Sequence, residues 1–190
     1  MSKALRVCVY CGSRVGRDGR FLPVARDFGT LLADRGLELV YGGGKVGLMG
    51  AVADGALAGG GRVHGVIPRS MVEREIAHDG VDLYVVETMH ERKAQMEQLS
   101  DAFVALPGGT GTLDELFEMW TWAQLGLHGK PLGLLDVDGY WRPLVACVDH
   151  MVDEGFLRPD HRAMLVVSGR PDELLDRLGE RIAAVALSDT

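Results

Sequence analysis

The chain has 190 residues, of which 47% are hydrophobic and 25% charged, and its formal net charge is −7. This composition is typical of a globular protein, and the length predicts a single domain over residues 1–190. The acidic balance argues against a protein that wraps nucleic acid, and no apolar run reaches the roughly 20 residues of a membrane-spanning helix. We therefore expect a protein that binds neither nucleic acid nor membranes. Because the first residues run directly into a strand pattern without a signal-peptide pattern, we also expect it to be cytoplasmic.

Short apolar runs alternate along the chain with segments of helical pattern. The predicted strands lie at residues 6–10, 38–41, 62–67, 83–86, 102–106, 131–135 and 164–167. The predicted helices lie at residues 21–34, 47–58, 90–100, 113–125, 141–154 and 171–184. This alternation predicts an α/β fold, a Rossmann-like doubly wound and mostly parallel sheet of about seven strands with helices on both faces. Right-handed crossovers bring the carboxyl ends of all these strands to one edge, where we expect the ligand.

The first predicted strand contains a possible redox motif. Cys8 and Cys11 form C-x-x-C near a βαβ pattern. The motif opens a helix in thioredoxin-like proteins, whereas here an odd offset within a strand points the two side chains to opposite faces. Only Cys147 remains, so a four-cysteine zinc site cannot form. We therefore expect buried, reduced cysteines and no metal site.

Small residues follow the first two predicted strands at the ligand edge. Ser13 follows the first strand, and Gly42, Gly44 and Gly47 after the second match G-x-G-x-x-G. A dinucleotide site also needs an acidic residue after the next strand, where the chain has Arg69, and a Walker A loop needs Ser or Thr after its lysine. Two interpretations stay open: Ser13, Gly43 and Gly44 contact a phosphate, or the glycines only allow a helix to pack closely on a strand.

The most informative stretch is LPGGTGTLDE, at residues 106–115. It joins a predicted buried strand to a predicted helix. Gly108, Gly109 and Gly111 leave backbone N–H groups uncovered at the start of that helix, which is the usual form of a phosphate-binding site. The sequence therefore predicts an anion site here.

Glu115 ends this stretch and has two interpretations. With Thr112 as N-cap it fits a capping box, which would be purely structural. However, Glu115 shares a helix face with the apolar Met119 and Trp122, whereas the polar stripe of the helix contains Asp114, Glu118 and Thr121. A carboxylate beside a phosphate loop and under apolar cover favours a catalytic role.

A pair of cations, Arg92 and Lys93, opens the preceding predicted helix. Cations in a first turn oppose the helix dipole, so helix propensity does not explain them. Arg92 borders the predicted buried side, from which its planar fork could hold a phosphate, a purine edge or a carboxylate. The alternative is a surface arginine whose stem packs on apolar side chains.

These motifs closely resemble the LOG (Lonely Guy) family of cytokinin-activating phosphoribohydrolases, whose members were often labelled lysine decarboxylases. The resemblance rests on MHERK and PGGTGTLDE, with GGGKVGLMG and PRSMVEREI upstream. It implies hydrolysis of the N-glycosidic bond of N6-modified adenosine 5'-monophosphates to a free base and ribose 5-phosphate, without a cofactor. It also implies a doubly wound fold, and dimers with sites near the subunit interface.

Carried over motif by motif, the resemblance implies that Arg92 and Glu115 are the catalytic pair. The substrate contacts that it implies are Glu75, Lys93, Gly109, Thr110, Gly111, Thr112, Leu113, Asp114 and Thr121. From the loops at the ligand edge we also expect contacts of Ser13, Gly43, Gly44 and Gly108. Thr110 stands where many members carry tyrosine, a difference that bears on the N6 substituent.

The sequence leaves two other functions open and predicts an assembly state. A nucleotide-binding or carrier module without catalysis would use similar loops. A pyridoxal-phosphate decarboxylase would need a Schiff-base lysine, and of Lys3, Lys45, Lys93 and Lys130 only Lys93 lies in a motif that carries chemistry. The predicted helix at residues 113–125 is apolar on nearly every side, which one sheet face cannot cover, so we predict a homodimer.

Overall fold

The computed structural model of the protein describes residues 4–75 and 77–188, apart from the side chains of residues 73–75, 186 and 188. Its strands form one seven-stranded sheet in the order β4-β3-β2-β1-β5-β6-β7, and every pairing is parallel. The strands are β1 (Arg6–Tyr10), β2 (Glu38–Tyr41), β3 (Val63–Pro68), β4 (Asp82–Val86), β5 (Ala102–Ala105), β6 (Leu132–Leu135) and β7 (Leu165–Ser168). The predicted parallel α/β fold is confirmed.

The helices alternate with these strands. They are α1 (Phe21–Asp34), α2 (Gly47–Ala58), α3 (Arg69–Glu75), α4 (Met89–Leu99), α5 (Thr110–Gln124), α6 (Arg142–Asp153), α7 (Pro159–Met164) and α8 (Pro171–Ser188). The sequence did not predict α3 and α7, because helices of 7 and 6 residues are too short to show a helical period. In addition, α5 begins at Thr110, three residues earlier than predicted.

Two hydrophobic cores lie on the two faces of the sheet. Helices α1, α2 and α8 cover one face, with Phe28, Val52 and Leu174 fully buried. Helices α4, α5 and α6 cover the other, and bury Met96, Leu116 and Val148. Burial on both faces explains why the central strands are continuous apolar runs rather than alternating ones.

The two cysteines of the C-x-x-C motif belong to different cores, as predicted. Cys8 packs among the residues under α4 and α5, whereas Cys11 packs on the side of α1 and α2. Both are buried free thiols. Burial raises the pKa of Cys8 to about 12, so its thiol is protonated and unreactive at neutral pH.

The chain reverses its direction of winding between β1 and β5. The loops that leave these neighbouring strands therefore diverge to opposite faces and open a crevice at the carboxyl edge. Backbone hydrogen bonds join the loops around it: Gly12 N donates to Pro107 O at 3.1 Å, and Leu48 N donates to Gly12 O at 3.0 Å. The crevice is thus bounded by the end of β1, the start of α2 and the loop before α5.

Candidate active site

A cavity of about 470 Å³ occupies this crevice. Most of its walls come from the loops after β1 and β5 and from the first turns of the helices around it. It brings together eight of the residues that the sequence predicted for the site: Ser13, Arg92, Gly109, Thr110, Gly111, Thr112, Asp114 and Glu115. Residues from five different segments of the chain therefore meet at one edge of the sheet.

The glycine loop enters α5 without a side-chain cap. Gly109 is the N-cap residue, so Thr110, Gly111 and Thr112 form the first turn and Glu115 lies in the second. The capping box with Thr112 as N-cap is therefore wrong, because the glycines continue directly into the helix. Thr112 is instead buried beneath Gly108, where a Cβ atom would stand 2.0 Å from its Oγ1.

Gly109 and Gly111 differ from Gly108 in their surroundings. A Cβ atom added to either would meet no heavy atom within 4 Å. Their backbone lines the cavity, at a helix end whose first N–H groups have no partner within the helix. This end of the cavity can accept an anion through main-chain donors and the positive end of the helix dipole.

Arg92 is buried at the other side of the cavity, with 6% of its surface exposed. Its Nε donates to Val66 O at 3.1 Å and its Nη2 donates to Gly42 O at 3.2 Å, which ties the guanidinium to the ends of β3 and β2. The interpretation of Arg92 as a surface arginine is therefore wrong. Gly42 must lack a side chain, because a Cβ atom there would stand 2.2 Å from Nη2.

Glu115 faces Arg92 across the cavity wall. Its Oε1 lies 3.4 Å from Arg92 Nη1, and the side chains are only 11% and 7% exposed. Met119, one turn further along α5, is fully buried, whereas Trp122 of the same predicted face is only partly buried and lines the groove described below. Each charge compensates the other in a site from which water is largely excluded. The pair thus offers a fixed carboxylate beside an anion-binding loop.

Lys93 points away from this pair. Its Nζ lies 3.2 Å from Asp114 Oδ2 and 2.5 Å from Glu118 Oε2. Burial alone would lower the pKa of Lys93, but its hydrogen bonds to Glu118 and Asp114 outweigh burial and raise the pKa above 10.5. Lys93 therefore stays protonated at neutral pH.

A second, more open groove of about 450 Å³ runs along the outer face of α5. Three residues predicted to contact substrate, Lys93, Leu113 and Thr121, line this groove rather than the first cavity. Thr110 and Asp114 line both, so the two hollows are adjacent. We call this groove the α5 groove.

Of the remaining predicted residues, Gly108 lines a neighbouring hollow and not the cavity itself. Gly43 and Gly44 are buried, and the structure does not place them in the cavity lining. Gly43 O accepts a hydrogen bond from His78 N, and Gly44 pairs with Ala77 in an isolated antiparallel bridge. Their substrate contacts stay a prediction. Glu75 ends α3, but its side chain lies outside the described residues.

Sequence reasoning did not single out Tyr140. Its hydroxyl donates to Gly108 O at 2.5 Å, and its ring packs edge-on against Phe21 with 5.4 Å between centroids. Asp138 and Gly139, at φ of 52° and 74°, turn the chain just before it. An Asp-Gly turn followed by an aromatic residue after a predicted strand was the available signal.

A parallel sheet with a glycine loop, a helix N-terminus and a buried Arg–Glu pair at its switch point defines a Rossmann-like protein with a cavity suited to a small anionic ligand. A sequence model of a family described as "Possible lysine decarboxylase" matches residues 49–178. Together with the relatives described next, this match shows that the chain belongs to the LOG family, as the motifs indicated.

Two relatives illustrate the similarity. The chain is 49% identical over 180 residues to the probable cytokinin riboside 5'-monophosphate phosphoribohydrolase LOGL2 of Oryza sativa subsp. japonica, covering 94% of this chain and 74% of that protein. It is 47% identical over 180 residues to the cytokinin riboside 5'-monophosphate phosphoribohydrolase LOG3 of Arabidopsis thaliana, covering 94% of this chain and 84% of that protein.

Solved structures confirm the architecture. The molybdenum cofactor binding protein from Rippkaea orientalis matches with a TM-score of 0.71 and 23% sequence identity, over 96% of this chain and 99% of that one. At this identity the likeness shows the fold alone.

Proposed function

We propose that this chain hydrolyses the N-glycosidic bond of N6-modified adenosine 5'-monophosphates and releases the free base and ribose 5-phosphate. The names of its relatives specify a phosphoribohydrolase that acts on cytokinin riboside 5'-monophosphates. The observation that carries the proposal is the buried Arg92–Glu115 pair on the wall of the same cavity as the glycine loop. A carboxylate for the sugar and a cradle for the phosphate are the two parts that this reaction needs.

The 5'-phosphate is proposed to bind at the N-terminus of α5. Gly109 and Gly111 leave room for an oxyanion close to the main chain, and the first N–H groups of the helix are its donors. Binding energy from this remote group can orient the ribose against Glu115.

Glu115 is proposed to act on the sugar. Cleavage of the bond between C1' and the base nitrogen leaves positive charge on C1' and the ring oxygen, and a nearby carboxylate stabilises this oxocarbenium-like transition state. The electron pair of the broken bond goes to the base nitrogen, which takes up a proton as the free base leaves, and a water molecule adds to C1' and loses a proton. Glu115 can also orient that water and accept its proton.

Arg92 is proposed to hold Glu115 in position. Two carbonyl acceptors, Val66 O and Gly42 O, fix its guanidinium, and the remaining terminal nitrogen faces the carboxylate. An arginine anchored in this way presents a preorganised charge at no cost in side-chain reorganisation during the reaction.

The description of the family as a possible decarboxylase finds no support in Lys93. A lysine that forms a Schiff base must be deprotonated to attack, and enzymes achieve this by lowering its pKa. Glu118 and Asp114 do the opposite for Lys93. Among the other lysines that the structure describes, Lys130 Nζ pairs with Glu97 and Lys45 is exposed.

The proposed assembly is a homodimer that covers the α5 groove. Its apolar residues Leu113, Phe117 and Trp122 are only partly buried, and it adjoins the cavity through Thr110 and Asp114. A monomeric mass by light scattering at micromolar concentration would contradict this. The predicted cytoplasmic location stays a prediction; among the described residues, no helix is both long and apolar enough to cross a membrane.

The proposed function is tested by comparing two substrates on one enzyme preparation. We expect kcat/KM for N6-isopentenyl-AMP to exceed that for N6-isopentenyladenosine by at least ~10²-fold, because the phosphate orients the reacting centre. Base release is followed by chromatography. Absence of base release from the monophosphate would contradict the proposed function, and equal values for the two substrates would contradict the phosphate site.

A further inference from the structure

Arg14 lies at the switch point, directly after β1. It lines the main cavity and also a neighbouring hollow of about 190 Å³, and Gly109 lines both as well. An arginine thus borders the same space as the main-chain donors at the start of α5. It was not among the residues predicted for the site.

The described charged residues around the cavity pair with one another and not with Arg14. The charged residues in its lining are Arg14, Arg92, Asp114 and Glu115. Arg92 pairs with Glu115, and Asp114 pairs with Lys93. Arg14, by contrast, is exposed, and among the described side chains none forms an ion pair or hydrogen bond with it. Among the described side chains of this lining, Arg14 is therefore the cation that a dianion meets without a carboxylate partner.

The backbone that carries Arg14 is nevertheless held in place. Its neighbour Gly12 donates to Pro107 O and accepts from Leu48 N. Gly47, at the start of α2, packs so closely that a Cβ atom there would stand 2.5 Å from Arg14 N. Such an arrangement keeps the side chain within reach of the α5 N-terminus while its guanidinium can adjust to a ligand.

We propose that Arg14 is the counter-ion of the substrate 5'-phosphate, which binds between its guanidinium and the N-terminus of α5. Guanidinium binds phosphate through two parallel charge-assisted hydrogen bonds, a geometry that an ammonium cannot reproduce. The need for such a cation is clear from the net charge of −7, which repels a dianion from the protein as a whole. The inference rests on the proposed function and names the group that selects for its phosphorylated substrates.

The test compares Arg14→Gln with Arg17→Gln, which removes the same charge three residues further along the loop. Arg17 is exposed and lines neither hollow. For Arg14→Gln we expect kcat/KM for N6-isopentenyl-AMP to fall by about 30-fold, and that for N6-isopentenyladenosine to change by less than about two-fold. Arg14→Lys should recover part of the loss, and Arg17→Gln should match the wild type within about two-fold on both substrates. If Arg14→Gln lowers kcat/KM equally for the monophosphate and the nucleoside, or for neither, the proposed role of Arg14 is overturned.

A binding measurement separates this inference from the proposed function. Calorimetric titration of AMP and of adenosine into the wild-type, Arg14→Gln and Arg17→Gln proteins requires no turnover. We expect Arg14→Gln to weaken the affinity for AMP by about 30-fold and to leave the affinity for adenosine unchanged. This expectation holds whether or not the protein hydrolyses either compound. Unchanged AMP affinity in Arg14→Gln would overturn the inference even if the wild-type enzyme proves to be a phosphoribohydrolase.

Discussion

Two adjacent cations on α4, Arg92 and Lys93, are both buried and both pair with carboxylates of α5, but they line different hollows. Arg92 faces the cavity, and protein carbonyls accept hydrogen bonds from two of its nitrogens. Lys93 faces the α5 groove and pairs with Asp114, which is 60% exposed, and with Glu118. A shift of one residue along a helix therefore separates a buried charge pair from one at the margin of an open groove.

The comparison shows what a buried ion pair indicates. Taking two charges out of water costs more than their attraction usually returns, so burial of Arg92 and Glu115 is poor support for a stabilising role. Such a pair is expected where its charges are used, and this one lines the cavity that holds the glycine loop. The Lys93 pairs, which remain nearer to water, are expected to contribute modestly to stability.

The largest expected effect in this comparison is that of Glu115→Gln. Removing the carboxylate charge should lower kcat by on the order of 10²-fold or more, because it removes stabilisation of the transition state. The matched control is Glu118→Gln, which makes the same change one turn further along α5 and on the Lys93 side. Rates and thermal melts are measured on the same samples. Similar values of kcat for the two variants would contradict a catalytic role that is specific to Glu115.

A smaller effect, about 30-fold in kcat, is expected for Arg92→Lys. The lysine keeps the charge but cannot donate to Val66 O and Gly42 O while also facing Glu115. If Arg92 acts by positioning Glu115, the double variant with Glu115→Gln should lose little more than Glu115→Gln alone. Losses that multiply in the double variant would mean that Arg92 acts independently, for instance on the base.

The smallest effect concerns stability and pH at Lys93. Its pKa is raised above 10.5, because hydrogen bonds to Glu118 and Asp114 outweigh the opposing effect of burial. A raised pKa in the folded state means that the stabilisation is fully present below pH 10.5 and is lost as pH rises through the folded-state pKa.

Glu118→Gln provides the measurement of this effect. At pH ~8 it should lower Tm by about 1–3 °C, and the difference from the wild type should shrink as the pH rises through the raised pKa of Lys93. A difference that stays constant across this range would assign the stabilisation to contacts other than the Lys93 charge.

Much of the fold could be predicted because its signals are local. The bounds of β1, β2, α1 and α2 agree with the predicted ranges, since apolar runs and helical periods bounded by turns mark them clearly. The start of α5 was placed too late, because its first residues, Thr110, Gly111 and Thr112, have poor helix propensity and carry no local helix signal.

Part of the site could also be predicted, because some of its residues lie in local motifs. Glu115 and Arg92 were identified from motif context and helix faces, and both lie in the cavity. The glycine loops after β2 and β5 look alike in sequence, yet Gly42 is needed for close approach of Arg92, whereas Gly109 and Gly111 border open space. A glycine shows that a side chain is absent, but not whether protein or ligand fills the place.

The sequence by itself determined the parallel α/β architecture, the sheet edge that carries the cavity, the glycine loop before α5 and the identity of the Arg–Glu pair. Each of these depends on a short segment or on a rule of chain connection. Only the tertiary structure decided which charges neutralise one another, that Lys93 and Thr121 border a different hollow from Arg92, that Tyr140 contacts the glycine loop and that Arg14 borders the same hollows as Gly109. Those relations join residues far apart in the chain, so they depend on how strands and helices pack and leave no local pattern in the sequence.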